Sequence, residues 1–208
     1  MSYKSITVPF ALALTAIAGV SLGAAQAPQS APASTTATAA GTTYKIDDVH
    51  SCALFRVHHL GAGQFWGRFN AVSGTMTFGE SGQPTGFDVS IATDSVDTAE
   101  PKLDAHLKSP DFFNTKEFPA MTFKSDSVSK KSDGTLEVTG MLSMHGVTKS
   151  VTAALEVTGV KEMGMGARAG IEAVFTVKRS DFGMNYGVEK GTLGDQVRVV
   201  VSLEGIRG

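Results

Sequence analysis

The residues with the means to do chemistry in this 208-residue chain are five histidines, one cysteine and a scatter of carboxylates. A bound metal needs three or four such groups converging on one point. His50 and His58 do not converge: on one unbroken strand from Val49 to His59 they share a face but stand about 26 Å apart, at roughly 3.3 Å per residue. His58 and His59 face opposite ways. His50 and Cys52 could share an ion only if a third ligand came from elsewhere, and no run of His, Cys, Asp or Glu has a recognisable ligand spacing. Met163 and Met165 could meet a soft metal, but their glycine neighbours fit a hairpin tip better. Catalysis has no firmer footing. There is no G-x-S-x-G, H-E-x-x-H or Walker loop, and Asp104 and His106, two apart on a helix, do not face each other. Neither a metal nor an enzyme activity is expected. Cys52, the single cysteine, allows no disulfide within the chain and reads as a small buried hydrophobe in a strand.

The aromatic residues are more telling: twelve Phe, three Tyr and one Trp. In the strand from Gln64 to Phe69, Phe65 and Phe69 fall on one face and Trp66 on the other. With Phe55, Phe112, Phe113 and Phe182 they could line a long apolar cavity or fill an ordinary aromatic core, and the residues alone leave both readings open.

Two kinds of element must position these side chains. The stretch from Thr98 to Ser109 reads as a helix, with Thr98 as N-cap and Glu100 and Pro101 in the first turn. Leu103 and Leu107 lie one turn apart on one face with His106 beside them, and Asp104 and Lys108 form an i,i+4 pair. Ser109-Pro110 ends the helix, and a Phe-rich loop follows. Elsewhere the period is two. Phe87, Val89 and Ile91 share a face, as do Met121 and Phe123; Leu136, Val138, Gly140 and Leu142; Val151, Ala153, Leu155 and Val157; and Val197, Val199, Val201 and Leu203. Such alternation marks half-buried antiparallel strands. Turn signals at Glu80-Ser81-Gly82, Ser132-Asp133-Gly134, His145-Gly146 and Gly164–Gly170 separate them. About eight strands fit an up-and-down barrel, which can enclose one small ligand, or a sandwich, which fills its own core. Periodicity does not separate these two; the helix, laid like a lid across one end, favours the barrel.

A hydrophobic fraction of 42% and a charged fraction of 18% fit a globular domain, and a net charge of -2 leaves no basic surplus for nucleic acid. Residues 1–27 have the form of a secretory signal peptide: Lys4, an apolar run from Ile6 to Leu22, then small residues allowing cleavage after Ala25 or Ala27. An uncleaved anchor is the second reading, since the run approaches the roughly 20 residues that span a bilayer. Residues 28–42 are a low-complexity Pro/Ala/Ser/Thr linker. The folded domain is expected over 43–208.

Several motifs, in order, resemble one family. DAHLKSPDFFNTKEFPAMTFKS resembles the signature of the YceI-like proteins, which are exported, lipocalin-like and polyisoprenoid-binding. IDDVHSCALFRVHH resembles that family's opening strand, GRFNAVSGTMTF the next, TGMLSMHGVTKSV the late hairpin, and KRSDFG with LGDQVRVVVSLEG the close. The resemblance runs from about Tyr44 to Gly205. It implies an all-β, antiparallel up-and-down (lipocalin-like) barrel of about eight strands, with one short helix covering an end and a long isoprenoid chain inside. The ligand-binding residues expected are Phe55, His58, Phe65, Trp66, Phe69, His106, Leu107, Phe112, Phe113, Arg179 and Phe182. His50, His58, His106 and Arg179 are the candidates for the polar head. No cofactor is required beyond a bound isoprenoid or long-chain lipid. The expected place is the periplasm or outside the cell, and the expected role carriage, storage or a stress response. A membrane or membrane-bound redox partner and a homodimer are the further partners considered. A small periplasmic metal- or haem-binding protein, or an uncharacterised enzyme, is the alternative.

Overall fold

The computed structural model describes residues 41–164 and 166–207. The expected signal peptide, nearly all of the expected linker and Met165 lie outside the described residues. Eleven strands follow in order: β1 (Thr42–Ile46), β2 (Cys52–His59), β3 (Gly63–Phe69), β4 (Val72–Phe78), β5 (Pro84–Ala92), β6 (Val96–Asp97), β7 (Ala120–Lys130), β8 (Leu136–Met144), β9 (Val147–Lys161), β10 (Arg168–Lys178) and β11 (Leu193–Ile206). Among the described residues one α-helix, α1 (Pro101–Leu107), stands between β6 and β7.

All pairings are antiparallel, and β1 pairs with both β4 and β11, so the sheet closes on itself. The staves of the ring are β1, β4, β5, β7, β8, β9, β10 and β11, an eight-stranded barrel. The first staves are interrupted. β2 continues β1 along β11, β3 continues β4 along β2, and β6 continues β5 along β3. Closure excludes the sandwich, and β3 is paired on its second side only at Arg68 and Phe69, by β6.

Polar side chains hold the breaks. Between β1 and β2 the Val49 N–H donates to Asp47 Oδ1 (3.1 Å), and the buried Ser51 hydroxyl accepts from the Glu204 N–H (3.0 Å). Arg168 donates to Glu204 Oε1 (2.7 Å) and Asp47 Oδ2 (3.3 Å), tying the break to β10 and β11. Between β8 and β9 the turn residues His145 (φ 52°) and Gly146 (φ 75°) are both left-handed, which fits a two-residue hairpin. The His145 Nδ1 donates to the Phe182 carbonyl (3.0 Å), and its ring packs on Phe118 (4.7 Å between centroids), so His145 acts structurally.

The strand faces expected from the period of two are the faces observed: Phe87, Val89, Met121, Val138, Ala153, Leu155 and Leu203 are all buried. The helix is shorter than expected and starts later. Glu100 caps it, its Oε1 accepting from the Lys102 N–H (3.2 Å), with Pro101 in the first turn. Thr98 sends both its N–H (2.8 Å) and its hydroxyl (2.6 Å) to Asp104 Oδ1, and Ala99 is left-handed at φ 59°. Asp104 is thereby committed to Thr98, and no Asp104–Lys108 ion pair forms. Cys52 is half-buried at the start of β2 rather than buried.

One end of the barrel is packed solid. Tyr44, Met76, Phe78, Ile171 and Leu203 meet there, with Met76 fully buried. A second cluster, with Leu107, Phe112, Met144, Phe182 and Met184, caps the other end. Met76→Ala is expected to lower unfolding free energy by about 2–5 kcal/mol, because the packed end has little room to collapse. Urea denaturation measures it, and a loss below about 1 kcal/mol would show that this end is not the close-packed plug described.

Candidate functional site

Between the two clusters lies a cavity of about 670 Å3. Inward side chains of the ring strands and of β2 and β3 form its wall, among them Phe55, Phe69, Phe87, Val138, Phe175 and Val199. The wall is apolar along its length. The lining residues with polar side-chain groups are His59, His106, Arg179, Tyr186 and Thr192, and all five belong to the helix-bearing end. Leu60 and Tyr186 line the cavity and are also well exposed, which marks the mouth between the β2–β3 hairpin and the segment from Gly183 to Thr192.

Glycine shapes the wall at one point. Gly67 faces Phe55 across β2 and β3, and a Cβ there would run into the Phe55 ring. The missing side chain lets Phe55 lie down against the sheet and tilt against Phe69 (5.7 Å between centroids).

Two segments cover the helix-bearing end. In one, α1 presents Leu103 and Leu107 to the cavity, and the following loop adds Phe112 and Phe113, with Phe113 edge-on to Phe69 (5.1 Å). The other runs from Gly183 to Thr192. They meet in an aromatic cluster in which His106 is edge-on to Phe112 and to Tyr186 (5.0 Å each) and Phe112 lies against Tyr186 (5.1 Å). The His106 Nε2 donates to Asp111 Oδ2 (3.0 Å), which fixes the ring within the cluster.

Arg179 holds the second segment from beneath. It is buried, and its Nε donates to the Gly194 carbonyl (3.0 Å). Nη1 donates to the carbonyls of Met184 and Tyr186 (3.2 Å each), and Nη2 to those of Tyr186 (3.2 Å) and Leu193 (3.4 Å). Burial pushes the guanidinium pKa down, and the Asp195 charge opposes that shift. Burial alone would raise the Asp195 pKa; the Ser180 N–H (2.9 Å) and hydroxyl (2.8 Å), with the Arg179 and Lys178 charges, outweigh it and hold the carboxyl below its ordinary value.

Of the residues expected from sequence, the cavity wall contains Phe55, Phe65, Phe69, His106, Leu107, Phe112, Phe113 and Arg179. Three lie elsewhere. His58 points outward and accepts from Gln64 Nε2 (3.0 Å), because inward positions on β2 are the odd ones, Ala53, Phe55, Val57 and His59. Trp66 is on the outer face of β3, with the Arg56 guanidinium 5.7 Å from its ring centre. Phe182 is buried under the turn after β10, in the core beside the cavity. His50 is at the packed end, far from the mouth along the barrel. Its Nδ1 donates to Asp47 Oδ2 (2.9 Å), which raises the His50 pKa and lowers that of Asp47. Asp47, His50 and Glu204 have ligand atoms within 4.8 Å of one another, and Arg168 already bridges the two carboxylates. Cys52 is not in that group.

The model of the YceI-like domain matches residues 44–205, almost the whole barrel. The chain belongs to the YceI-like family. Protein YceI of Salmonella arizonae is 38% identical over 177 residues, covering 83% of this chain and 91% of that protein, and Protein YceI of Salmonella paratyphi B gives the same figures. Among solved structures, the Campylobacter jejuni YCEI protein superposes with a TM-score of 0.66 at 29% identity, over 73% of this chain and 90% of its own. Burkholderia cenocepacia BcnA gives 0.67 at 21% identity, over 76% and 98%. A polyisoprenoid binding domain from Saccharophagus degradans gives 0.61 at 15% identity, over 80% and 99%, a likeness of fold.

The wall of this YceI-like barrel also contains residues outside that expectation, among them His59, Leu60, Leu103, Met184, Tyr186 and Thr192. His59 was legible, since it shares parity with Phe55. Tyr186 and Thr192 carried no signal, because their place depends on how Arg179 folds their segment back over the mouth.

Asp195 gives a pH-dependent test of that arrangement. Its pKa is lower in the folded state, so its contribution is complete above the unfolded carboxyl pKa of about 3.9 and is lost as pH falls through the folded value. Asp195→Asn is expected to cost about 1 kcal/mol near pH 7. The deficit should shrink in strong acid. Thermal melts of both proteins from pH 7 downward check this, and a deficit that stays constant into strong acid would contradict it.

Proposed function

We propose that this barrel takes up an amphiphile with a long apolar tail, such as a polyprenyl chain or an isoprenoid quinone, and that the exported protein carries, stores or sequesters it in the periplasm. The observation that carries this reading is the distribution of polarity: a long apolar wall, with every polar lining side chain at the mouth. A tail gains about 0.8 kcal/mol for each methylene removed from water. A cavity of this size lies within the usual range for small-molecule sites, which are mostly apolar with a few polar groups orienting the ligand. Such a wall needs no hydrogen bond to hold a tail, so tails of similar length exchange in it. The name of the Saccharophagus degradans neighbour, a polyisoprenoid binding domain, agrees with this reading. The signal-like first 27 residues agree with export, and a ligand drawn from a membrane makes a membrane or membrane-bound redox component the natural source or recipient.

Narrowing the cavity tests the reading. Ala153 on β9 and Ala173 on β10 are buried wall residues facing empty space. The double variant Ala153→Phe with Ala173→Phe is expected to keep the fold and lose about tenfold or more in affinity for an added isoprenoid quinone, the equivalent of excluding about two methylenes. Titration of quinone into the exported domain measures it. Unchanged affinity in a variant with wild-type stability would place the ligand elsewhere.

A further inference from the structure

Resting on that binding reading, we propose that the mouth selects a neutral, oxygen-bearing head, a hydroxyl or a carbonyl, and discriminates against an anionic one such as a phosphate. An anion entering a mostly apolar site needs a cation with donors to spare. The lining holds one permanent cation, Arg179, and its donors are spent. A guanidinium has five N–H groups, and Arg179 makes five contacts to the backbone carbonyls of Met184, Tyr186, Leu193 and Gly194. Freeing any of them would strip a buried carbonyl of its partner and loosen the segment over the mouth. His106 is also engaged, by the Asp111 carboxylate, which adds a negative charge to the rim. The other charged side chains of the covering segments, Glu100, Lys102, Asp104, Lys108, Lys116, Glu117, Glu189 and Lys190, are of mixed sign, and none lines the cavity.

What remains suits a neutral oxygen. Among the described residues the Tyr186 hydroxyl and the His59 ring form no hydrogen bond to another protein group, and both line the mouth. Tyr186 is held in place twice: its carbonyl accepts from Arg179, and its ring packs against His106 and Phe112. Its hydroxyl is a fixed donor to the head of a ligand whose tail fills the barrel. Arg179 thus acts as a positioning residue for Tyr186.

The test is a competition between an all-trans polyprenol and its monophosphate of the same chain length, both delivered from one cyclodextrin carrier, with bound fractions read by native mass spectrometry. The alcohol is expected to bind about tenfold or more tightly than the phosphate. Tyr186→Phe, which keeps the ring and removes the donor, should narrow that preference, and Tyr186→Lys should move it toward the phosphate. Equal or tighter binding of the phosphate by the unmodified protein would overturn the proposal while leaving the tail-binding reading intact. Uptake of neither compound would overturn the tail-binding reading, and this inference with it.

Discussion

The hydrogen-bonded closure of β1 on β11 is the constraint on which the rest depends. It joins the first strand of the domain to the last, with Lys45 opposite Ile206 and Ile46 opposite Gly205. Once the ring closes at eight staves, its diameter is set, and that diameter is just wide enough either to be filled by side chains or to hold one small ligand. Both outcomes occur along one axis. Tyr44, Met76, Phe78 and Ile171 fill one end. Toward the other end the inward residues include Ala53, Ala153 and Ala173, and the centre is left open. An empty apolar space forfeits contacts that a filled core would make, so a tail entering the cavity restores contacts as well as leaving water.

Two separate segments cover the open end. α1 and its Phe-rich loop are anchored through Thr98, Glu100 and Asp104, and the segment from Gly183 to Thr192 through Arg179. They meet through side chains, in the cluster of His106, Phe112 and Tyr186. This aromatic seam at the mouth is held by packed rings and not by a backbone ladder. The five polar lining residues stand around that seam. Few side chains thus shape the mouth, while the wall sets width and length.

Much of this was legible in the sequence, and the misses have physical causes. The strand faces were readable because a half-buried strand must alternate. The same rule placed Trp66 opposite Phe65 and, applied strictly on β2, puts His59 and not His58 beside Phe55. The helix was readable from Leu103, Leu107 and Pro110, but its cap was not: Thr98 is a good N-cap type, yet Asp104 reaches back to take both of its donors, and Glu100 caps in its place. Closure was not readable from periodicity, which is identical in a sandwich, because the pairing of β1 with β11 joins residues far apart in the chain. Arg179 carried the least warning. A basic residue after a strand reads as a solvated charge or a ligand group, and only the folded path of the next fifteen residues, ending near Gly194, surrounds it with carbonyls.

The central claim is that the cavity exists to hold a long apolar tail. Native mass spectrometry of the protein, released gently from cells and followed by organic extraction of whatever leaves with it, tests that most directly. One long-chain amphiphile per barrel, recovered in the extract, is the predicted result. A barrel that emerges empty and then fails to take up added isoprenoid quinone or polyprenol would contradict it.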